Sequence, residues 1–154
     1  MITKGTQIVI DMYSCDKDVL SDKNKVKQLV EGGATTHAFE PKGIYFNDDD
    51  ENNEYSYFVP CHRGHINVHV YPLLGFVALD IFTLLESATP QELAKALRKD
   101  FAPEKAKVTF LERGDFGSQY DMKPRRRNQV RAMYRAKRAG NIIFKQLVLK
   151  PKSL

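Results

Sequence analysis

Residues 64–83 read GHINVHVYPLLGFVALDIFT and contain two strand patterns separated by a turn. Residues 66–71 alternate between apolar and polar side chains, which is typical of a strand with one buried face. Phe76–Thr83 is almost continuously apolar, as expected for a buried strand. Residues 72–75 carry the proline and glycine of a turn. We therefore predict two adjacent strands that form a hairpin in the sheet.

The chain before this hairpin alternates strand and helix patterns. Asp16 or Asp18 can cap a helix that runs to about Glu31. Gly32 and Gly33 are predicted to end that helix, because glycine enters the left-handed conformation without strain. One strand is predicted before this helix in the sequence, at residues 7–13, and two after it, at residues 34–46 and 55–61.

The chain after the hairpin repeats the alternation. Thr89 as a capping residue and Pro90 in the first turn indicate the start of a second helix, which is predicted to reach Asp100. Residues 125–138 are predicted to form a basic helix that Gly140 ends. The remaining predictions are strands at residues 106–111 and 142–149, and the burial of Leu93, Ala96 and Leu97 in the second helix.

This order predicts an α+β fold, a two-layer α/β sandwich with a mainly antiparallel sheet and helices on one face. The length of 154 residues suits one domain with a core of its own. We expect residues 1–115 to form that domain. Residues 116–154 would then be a basic extension, helix plus strand, packed on the same domain.

Charge is distributed unevenly along the chain. Residues 1–121 hold 13 Lys and Arg and all 19 Asp and Glu, whereas residues 122–154 hold 11 Lys and Arg and no acid. Such a basic end suggests nucleic acid, an anionic ligand or an acidic surface of another subunit, unless it is only a solvated helix within an oligomer. Residues 47–54, NDDDENNE, are predicted to be an acidic hairpin tip without the pattern of a calcium loop.

Composition also bears on location. No stretch approaches the roughly 20 apolar residues that span a bilayer. Residues 1–7 contain no apolar h-region, so we expect no secretory signal. Two cysteines, Cys15 and Cys61, do not make a disulfide framework. We therefore expect a cytoplasmic protein.

The densest cluster of chemically capable side chains lies at residues 61–69. The spacing of Cys61, His65 and His69 would suit zinc on a helix, but this segment has the pattern of a strand and no further ligand is evident, so we expect no metal. A thiolate nucleophile at Cys15 or Cys61 is a second possibility. A third is a proton-transfer or ligand pocket formed by His65 and His69, on one strand face, with Asp80 on the neighbouring strand. The residues alone favour this pocket and a pair of structural core histidines equally.

Residues 64–72 and 75–83 resemble the core motif of the bacterial S-adenosylmethionine decarboxylases, approximately E-S-H-L/I-S/T-I-H-T-W-P-E-x-G-Y-A-A-x-D-L/V-F-T-C. Residues 8–16, IVIDMYSCD, are similar to the first strand and turn of that family. Residues 33–35 match its GAT, and residues 112–114 match its ERG. The resemblance covers residues 7–115.

Four positions depart from the family pattern. The serine that self-cleaves to form the family's pyruvoyl group falls at Gly64, and the glutamate before it falls at Arg63. The acid that follows the W-P pair falls at Leu73, and the cysteine that donates a proton falls at Leu84. Because glycine has no hydroxyl for the acyl shift, we expect no pyruvoyl cofactor and no decarboxylation through one.

The resemblance implies a protein that binds or acts on S-adenosylmethionine or a related adenosyl sulfonium. Because a sulfonium is a good leaving group, a lyase that releases methylthioadenosine is the activity we predict without a pyruvoyl group. The alternatives are a non-catalytic regulatory partner in polyamine synthesis and a nucleic-acid binder that uses the basic end. A homo-oligomer is expected, since the family forms dimers or larger assemblies. The catalytic candidates are His69, His65 and Asp80. The substrate-binding candidates are Arg63, Asp11, Tyr13, Tyr71 and Thr83.

Overall fold

A computed structural model describes residues 4–114, 125–131 and 135–136. None of the helices in these ranges has the length and apolar run that crossing a membrane requires. The elements, in chain order, are β1 Gly5–Tyr13, α1 Lys17–Ser21, α2 Lys23–Thr36, β2 Tyr45–Asp49, β3 Glu54–Cys61, β4 Gly64–Tyr71, β5 Phe76–Thr83, α3 Pro90–Phe101, β6 Lys105–Arg113 and β7 Arg125–Val130.

The strands form one antiparallel sheet in the order β2-β3-β4-β5-β1-β6-β7. The predicted hairpin is confirmed: β4 pairs with β5, with Asn67 opposite Asp80. Gly75 has a φ of 61° in the turn between them, a conformation that glycine adopts without strain. Its carbonyl accepts a hydrogen bond of 2.8 Å from the backbone N–H of Cys15, which ties the turn to the end of β1.

The described helices pack on one face of this sheet, so the predicted two-layer α+β architecture is confirmed. Side chains alternate along each strand between that face and the other. On the helix side Ile10, Ile66 and Leu79 are buried in one core cluster with Leu93 and Leu97 of α3. We call the opposite side the histidine face, because it carries His65 and His69. Its side chains in the central strands are half-buried or exposed.

The helix stop predicted at Gly32 and Gly33 is wrong. The break comes earlier, where Asp22 ends α1 and caps α2 by accepting a hydrogen bond from the Lys25 backbone N–H. The second helix then runs through both glycines to Thr36. A Cβ at Gly33 would lie 2.8 Å from Cδ1 of Leu93. The glycine therefore serves the close approach of α2 to α3.

The predicted strand at residues 34–46 is wrong over most of its length, because its first residues belong to α2 and the strand β2 begins only at Tyr45. That strand includes the first residues of the predicted acidic loop. Lys23 of α2 lies 2.6 Å from Asp48 and 3.5 Å from Asp50 and compensates part of the negative charge. Only residues 50–53 form the hairpin tip.

The basic helix predicted from residue 125 is wrong for its first six residues, which form β7. They pair with β6 from Phe110 opposite Arg125 to Lys105 opposite Val130. The hydrogen-bonding edge of β6 outweighs the helical tendency of the arginines, because pairing satisfies backbone groups along the whole segment. The predicted stop at Gly140 and the strand at 142–149 lie outside the described residues.

The helix α3 begins as predicted, at Pro90, but its cap differs. Thr89 makes no side-chain capping bond; its hydroxyl lies 3.1 Å from Nδ1 of His37 instead. The buried stripe includes Ala94 rather than the predicted Ala96, which is half-exposed. Residue 94 lies next to the other buried positions on the face turned to the sheet.

Candidate functional site

The histidine face brings three central strands together. On β4 it presents His65, Asn67 and His69, as the alternation predicts. Asn67 lies opposite Asp80 of β5. His65 and His69 are four residues apart and therefore about 13 Å apart along the strand. They form two neighbouring subsites rather than one catalytic pair.

The first subsite is a chain of polar contacts around Asp80. Nε2 of His65 lies 3.9 Å from Oδ2 of Asp80, and each of these two side chains is 34% exposed. Gln7 of β1 donates hydrogen bonds of 3.0 and 3.2 Å to the two carboxylate oxygens of Asp80. Arg113 of β6 donates in turn to Oε1 of Gln7 at 2.5 Å. The carboxylate is thus held in place, and an imidazole beside it can hold or transfer a proton.

Aromatic rings flank the His65 imidazole on both sides. The ring centroids of Phe58 and Phe82 lie 6.0 and 5.6 Å from that of His65. The two rings form an apolar surface beside the polar His65–Asp80 contact. Ligand pockets combine such an apolar surface for binding with a few polar groups that orient the ligand.

The second subsite surrounds His69. Its Nε2 lies 3.2 Å from the side-chain nitrogen of Asn67, so a neutral imidazole would accept a hydrogen bond there. His69 also lines a small cavity of about 110 Å³ with Tyr71 and the carboxylates of Asp49 and Glu54. This cavity combines negative charge with an aromatic ring, which suits a cationic group.

The candidates on β1 lie near the His69 subsite. Asp11 is in register with Ala78, which is in register with His69, so the Cα atoms of Asp11 and His69 stand two strands apart, about 10 Å. Oδ2 of Asp11 lies 3.9 Å from Nζ of Lys107. Tyr13 follows on the same side, with its ring centroid 5.1 Å from that of Phe76.

Two substrate-binding candidates lie elsewhere. Thr83 is buried on the helix side of β5, and its hydroxyl accepts a hydrogen bond of 2.9 Å from the Leu85 backbone N–H. Arg63 is exposed in the turn between β3 and β4, with a φ of 55°. Its carbonyl accepts a hydrogen bond of 2.9 Å from the Leu84 backbone N–H, which fastens this turn to the end of β5.

The two thiols are poor nucleophiles in this structure. Burial raises the pKa of the buried Cys15 thiol to about 12 and that of the half-buried Cys61 thiol to about 11. Both are therefore protonated at neutral pH, which removes the reactive thiolate form. Among the residues that the structure describes, no group of three or more His, Cys, Asp or Glu is placed to hold a metal ion.

Gly64 stands at the start of β4, where the resemblance places a self-cleaving serine. It lies opposite Thr83 in the β4–β5 register. A Cβ built on Gly64 would collide with the carbonyl oxygen of Phe82 and lie 3.0 Å from the Cα of Thr83. Neither the hydroxyl nor the space for one is present here, so this position does not fit a pyruvoyl precursor.

Sequence reasoning missed several residues of the site. Gln7 donates to Asp80, Arg113 donates to Gln7, and Phe58 and Phe82 flank His65. The alternation of side chains along β1 places Gln7 on the same face as Asp11, so the sequence could have indicated Gln7 as a site residue. The contact with Asp80 depends on the register between β1 and β5, which no local pattern determines.

Comparison with known proteins places this frame in a family. The sequence model of the family described as S-adenosylmethionine decarboxylase matches residues 6–114. The S-adenosylmethionine decarboxylase proenzyme of Pyrococcus furiosus is 32% identical over 114 residues, which cover 74% of this chain and 81% of that protein. The S-adenosylmethionine decarboxylase proenzyme of Methanococcus vannielii is 28% identical over 120 residues, which cover 71% of this chain and 89% of that protein.

A solved structure agrees at the level of fold. The crystal structure of the adenosylmethionine decarboxylase from Aquifex aeolicus superposes with a TM-score of 0.68 at 18% identity and covers 77% of this chain and 98% of that one. The family match spans β1 to β6 and includes both subsites. The chain therefore belongs to the S-adenosylmethionine decarboxylase family.

Proposed function

We propose that this protein binds S-adenosylmethionine, or a related adenosyl sulfonium, on its histidine face and cleaves it without a pyruvoyl group. One observation carries the proposal: at Gly64, the position of the cofactor-forming serine, a Cβ would collide with the Phe82 carbonyl, while the histidine face beside it carries both subsites, His65 with Asp80 and, farther along β4, His69. The family membership supports an adenosyl sulfonium as ligand, and the missing hydroxyl argues against decarboxylation.

The reaction that needs least from the protein is lactone formation. The carboxylate oxygen of S-adenosylmethionine attacks its own γ-carbon, the bond from that carbon to sulfur breaks, and the electron pair stays on sulfur. The products are methylthioadenosine and homoserine lactone, and no oxidant, reductant or external proton is consumed. A site accelerates such a step by holding the chain in the folded conformation.

The residues of the two subsites have distinct roles in this proposal. The carboxylates of Glu54 and Asp49 beside His69 attract the positively charged sulfonium or ammonium group. Asp80, fixed by Gln7 and Arg113, orients His65 toward the ligand. The Phe58 and Phe82 rings offer an apolar surface for the adenosyl group.

The test is direct. Purified full-length protein is incubated with S-adenosylmethionine, and methylthioadenosine is followed by chromatography while the intact mass of the chain is recorded. We expect methylthioadenosine, one uncleaved species of 17.6 kDa, and loss of product in Asp80→Asn and His69→Ala. His62→Ala, a change in the exposed turn before β4, is the matched control and should retain activity.

Other outcomes separate the alternatives. Two fragments with a blocked keto-acid end would overturn the absence of a pyruvoyl group. Binding of S-adenosylmethionine without any product would assign the chain as a non-catalytic partner in polyamine synthesis. Neither binding nor product would end the proposal.

We further propose that the histidine face is covered by a second copy of the chain. Tyr45 and Phe58, opposite each other on β2 and β3, are 65% and 42% exposed, and Tyr13 is 39% exposed on β1. A face with this much exposed aromatic surface is typical of an interface. Sedimentation velocity should give a homo-oligomer that Tyr45→Glu weakens, and a monomer at micromolar concentration would contradict it.

A further inference from the structure

A second charged region lies away from the histidine face, where α3 meets the far edge of the sheet. A groove with a volume of about 330 Å³ runs between the C-terminal half of α3 and the end of β7. Lys95, Arg98 and Lys99 line it from the helix, and Arg131 lines it from the residue after β7. Four cationic side chains therefore surround one opening.

Little negative charge opposes them inside the groove. Glu104 is the one acidic side chain among its described lining residues. Lys95 is paired at 2.6 Å with Glu92, one turn earlier on α3. Arg131 donates a hydrogen bond of 3.4 Å to the carbonyl of Ala102, and this contact holds its guanidinium at the end of the helix. The lining carries an excess of positive charge, which favours an anion.

The strand β7 extends this charge in a line. Arg127 lies opposite Val108 and Arg125 opposite Phe110, so both arginines are on the helix side of the sheet. Arg126 lies opposite Thr109 and is on the histidine face. Because alternate residues of a strand repeat about every 7 Å, the two arginines on the helix side form a row that leads into the groove.

We propose that this groove and the arginine row bind the sugar-phosphate backbone of a nucleic acid. A line of cations fits a linear series of phosphates better than a single compact anion, and arginine and lysine are the usual phosphate ligands. The described lining of the groove contains no aromatic side chain on which a base could stack, so the contacts proposed here are with phosphates. The site reads charge rather than sequence, and it is independent of the adenosyl sulfonium site on the other face.

The experiment uses the full-length protein and a fluorescently labelled 20-base-pair DNA duplex in anisotropy titrations from 50 to 200 mM salt. The groove variant is Lys99→Gln with Arg127→Gln. The matched control, Lys25→Gln with Arg126→Gln, removes the same charge from an exposed position on α2 and from the opposite face of β7. Thermal unfolding of both variants checks that the fold is retained, and inorganic phosphate and ATP serve as competitors.

We expect the logarithm of the association constant to fall steeply as the logarithm of the salt concentration rises. Each phosphate contact contributes about 0.9 to the steepness of this slope. The groove variant loses two cationic contacts, so its slope should be shallower by roughly 2, whereas the slope of the control variant should not change. Equal losses in both variants would attribute binding to net charge and overturn the proposal. So would an absence of binding at 50 mM salt, or displacement of the duplex by phosphate or ATP at equal phosphate concentration, which would indicate a small-anion site.

Discussion

The Cα of Gly64 and the carbonyl oxygen of Phe82 approach each other so closely that no side chain fits between them. The contact closes the β4–β5 ladder at its last pair, where Gly64 lies opposite Thr83. Immediately beside it, the Leu84 backbone N–H donates to the Arg63 carbonyl. The Arg63–Gly64 peptide bond, where the sequence resemblance places the family's self-cleaving serine, therefore joins a turn residue with a φ of 55° to the first residue of a hydrogen-bonded strand.

Restoring the serine is expected to harm this chain rather than activate it. Gly64→Ser places a Cβ against the Phe82 carbonyl, and the backbone must shift to accept it. Such overpacking costs about 1–3 kcal/mol in the free energy of unfolding. Urea unfolding measures the loss, and intact mass spectrometry should show one chain without self-cleavage.

A glycine in open space provides the control. Nothing lies within 4 Å of a Cβ built on Gly32, which is exposed within α2. Gly32→Ala should therefore stabilise the protein by about 0.5–1 kcal/mol through helix propensity. A stable, self-cleaving Gly64→Ser variant would contradict our interpretation of this position.

The β4–β5 hairpin could be predicted from sequence because its information is local. Alternation at residues 66–71 and the turn before Phe76 require no knowledge of the rest of the chain. The common face of His65 and His69 follows from the same alternation. The Gln7–Asp80 hydrogen bonds could not be predicted, since they join residues 73 positions apart through the register of β1 and β5.

The errors share a physical cause, which is that tertiary contacts override local preference. The local sequence at Gly33 is typical of a helix end, but in the fold this glycine lies inside α2 because Leu93 of α3 packs closely against it. The arginines of β7 favour a helix until the edge of β6 offers them backbone partners. In both cases the deciding neighbour lies far away in the sequence.

The two adjacent glycines of α2 should respond differently to alanine. At Gly33 the new methyl group would lie 2.8 Å from Cδ1 of the buried Leu93. The gain in helix propensity is then offset by repacking between α2 and α3. We expect Gly33→Ala to be less stable than Gly32→Ala by about 1 kcal/mol, as measured by urea unfolding. Equal stabilisation would contradict the close contact between the helices.

Tyr55 links the sheet to the end of α1. Its buried hydroxyl donates a hydrogen bond of 2.6 Å to the carbonyl of Leu20. Tyr55→Phe leaves that carbonyl without this donor and should lower the free energy of unfolding by about 1–2 kcal/mol. Tyr45→Phe removes a hydroxyl from a side chain that is 65% exposed, and its effect should stay within about 0.5 kcal/mol. Comparable losses in the two variants would argue against the buried bond.

Alkaline pH should destabilise the protein through its buried thiol. Burial raises the pKa of Cys15 from 9.0 to about 12, so between these values the folded state keeps a proton that the unfolded state loses. The contribution to stability is complete below pH 9 and is lost as the pH rises toward 12, by at most about 1.4 kcal/mol per pH unit for one proton. Burial also raises the pKa of Tyr55, and the contribution of Tyr55 to stability declines in the same direction above pH 10.

Urea unfolding between pH 8 and 11 should therefore show a free energy of unfolding that falls as the pH rises. The slope should be shallower in Cys15→Ala, because that variant has no thiol to ionise. Identical slopes in the two proteins would place the Cys15 thiol in contact with solvent, and its reaction with a thiol reagent at pH 8 would then be fast instead of slow.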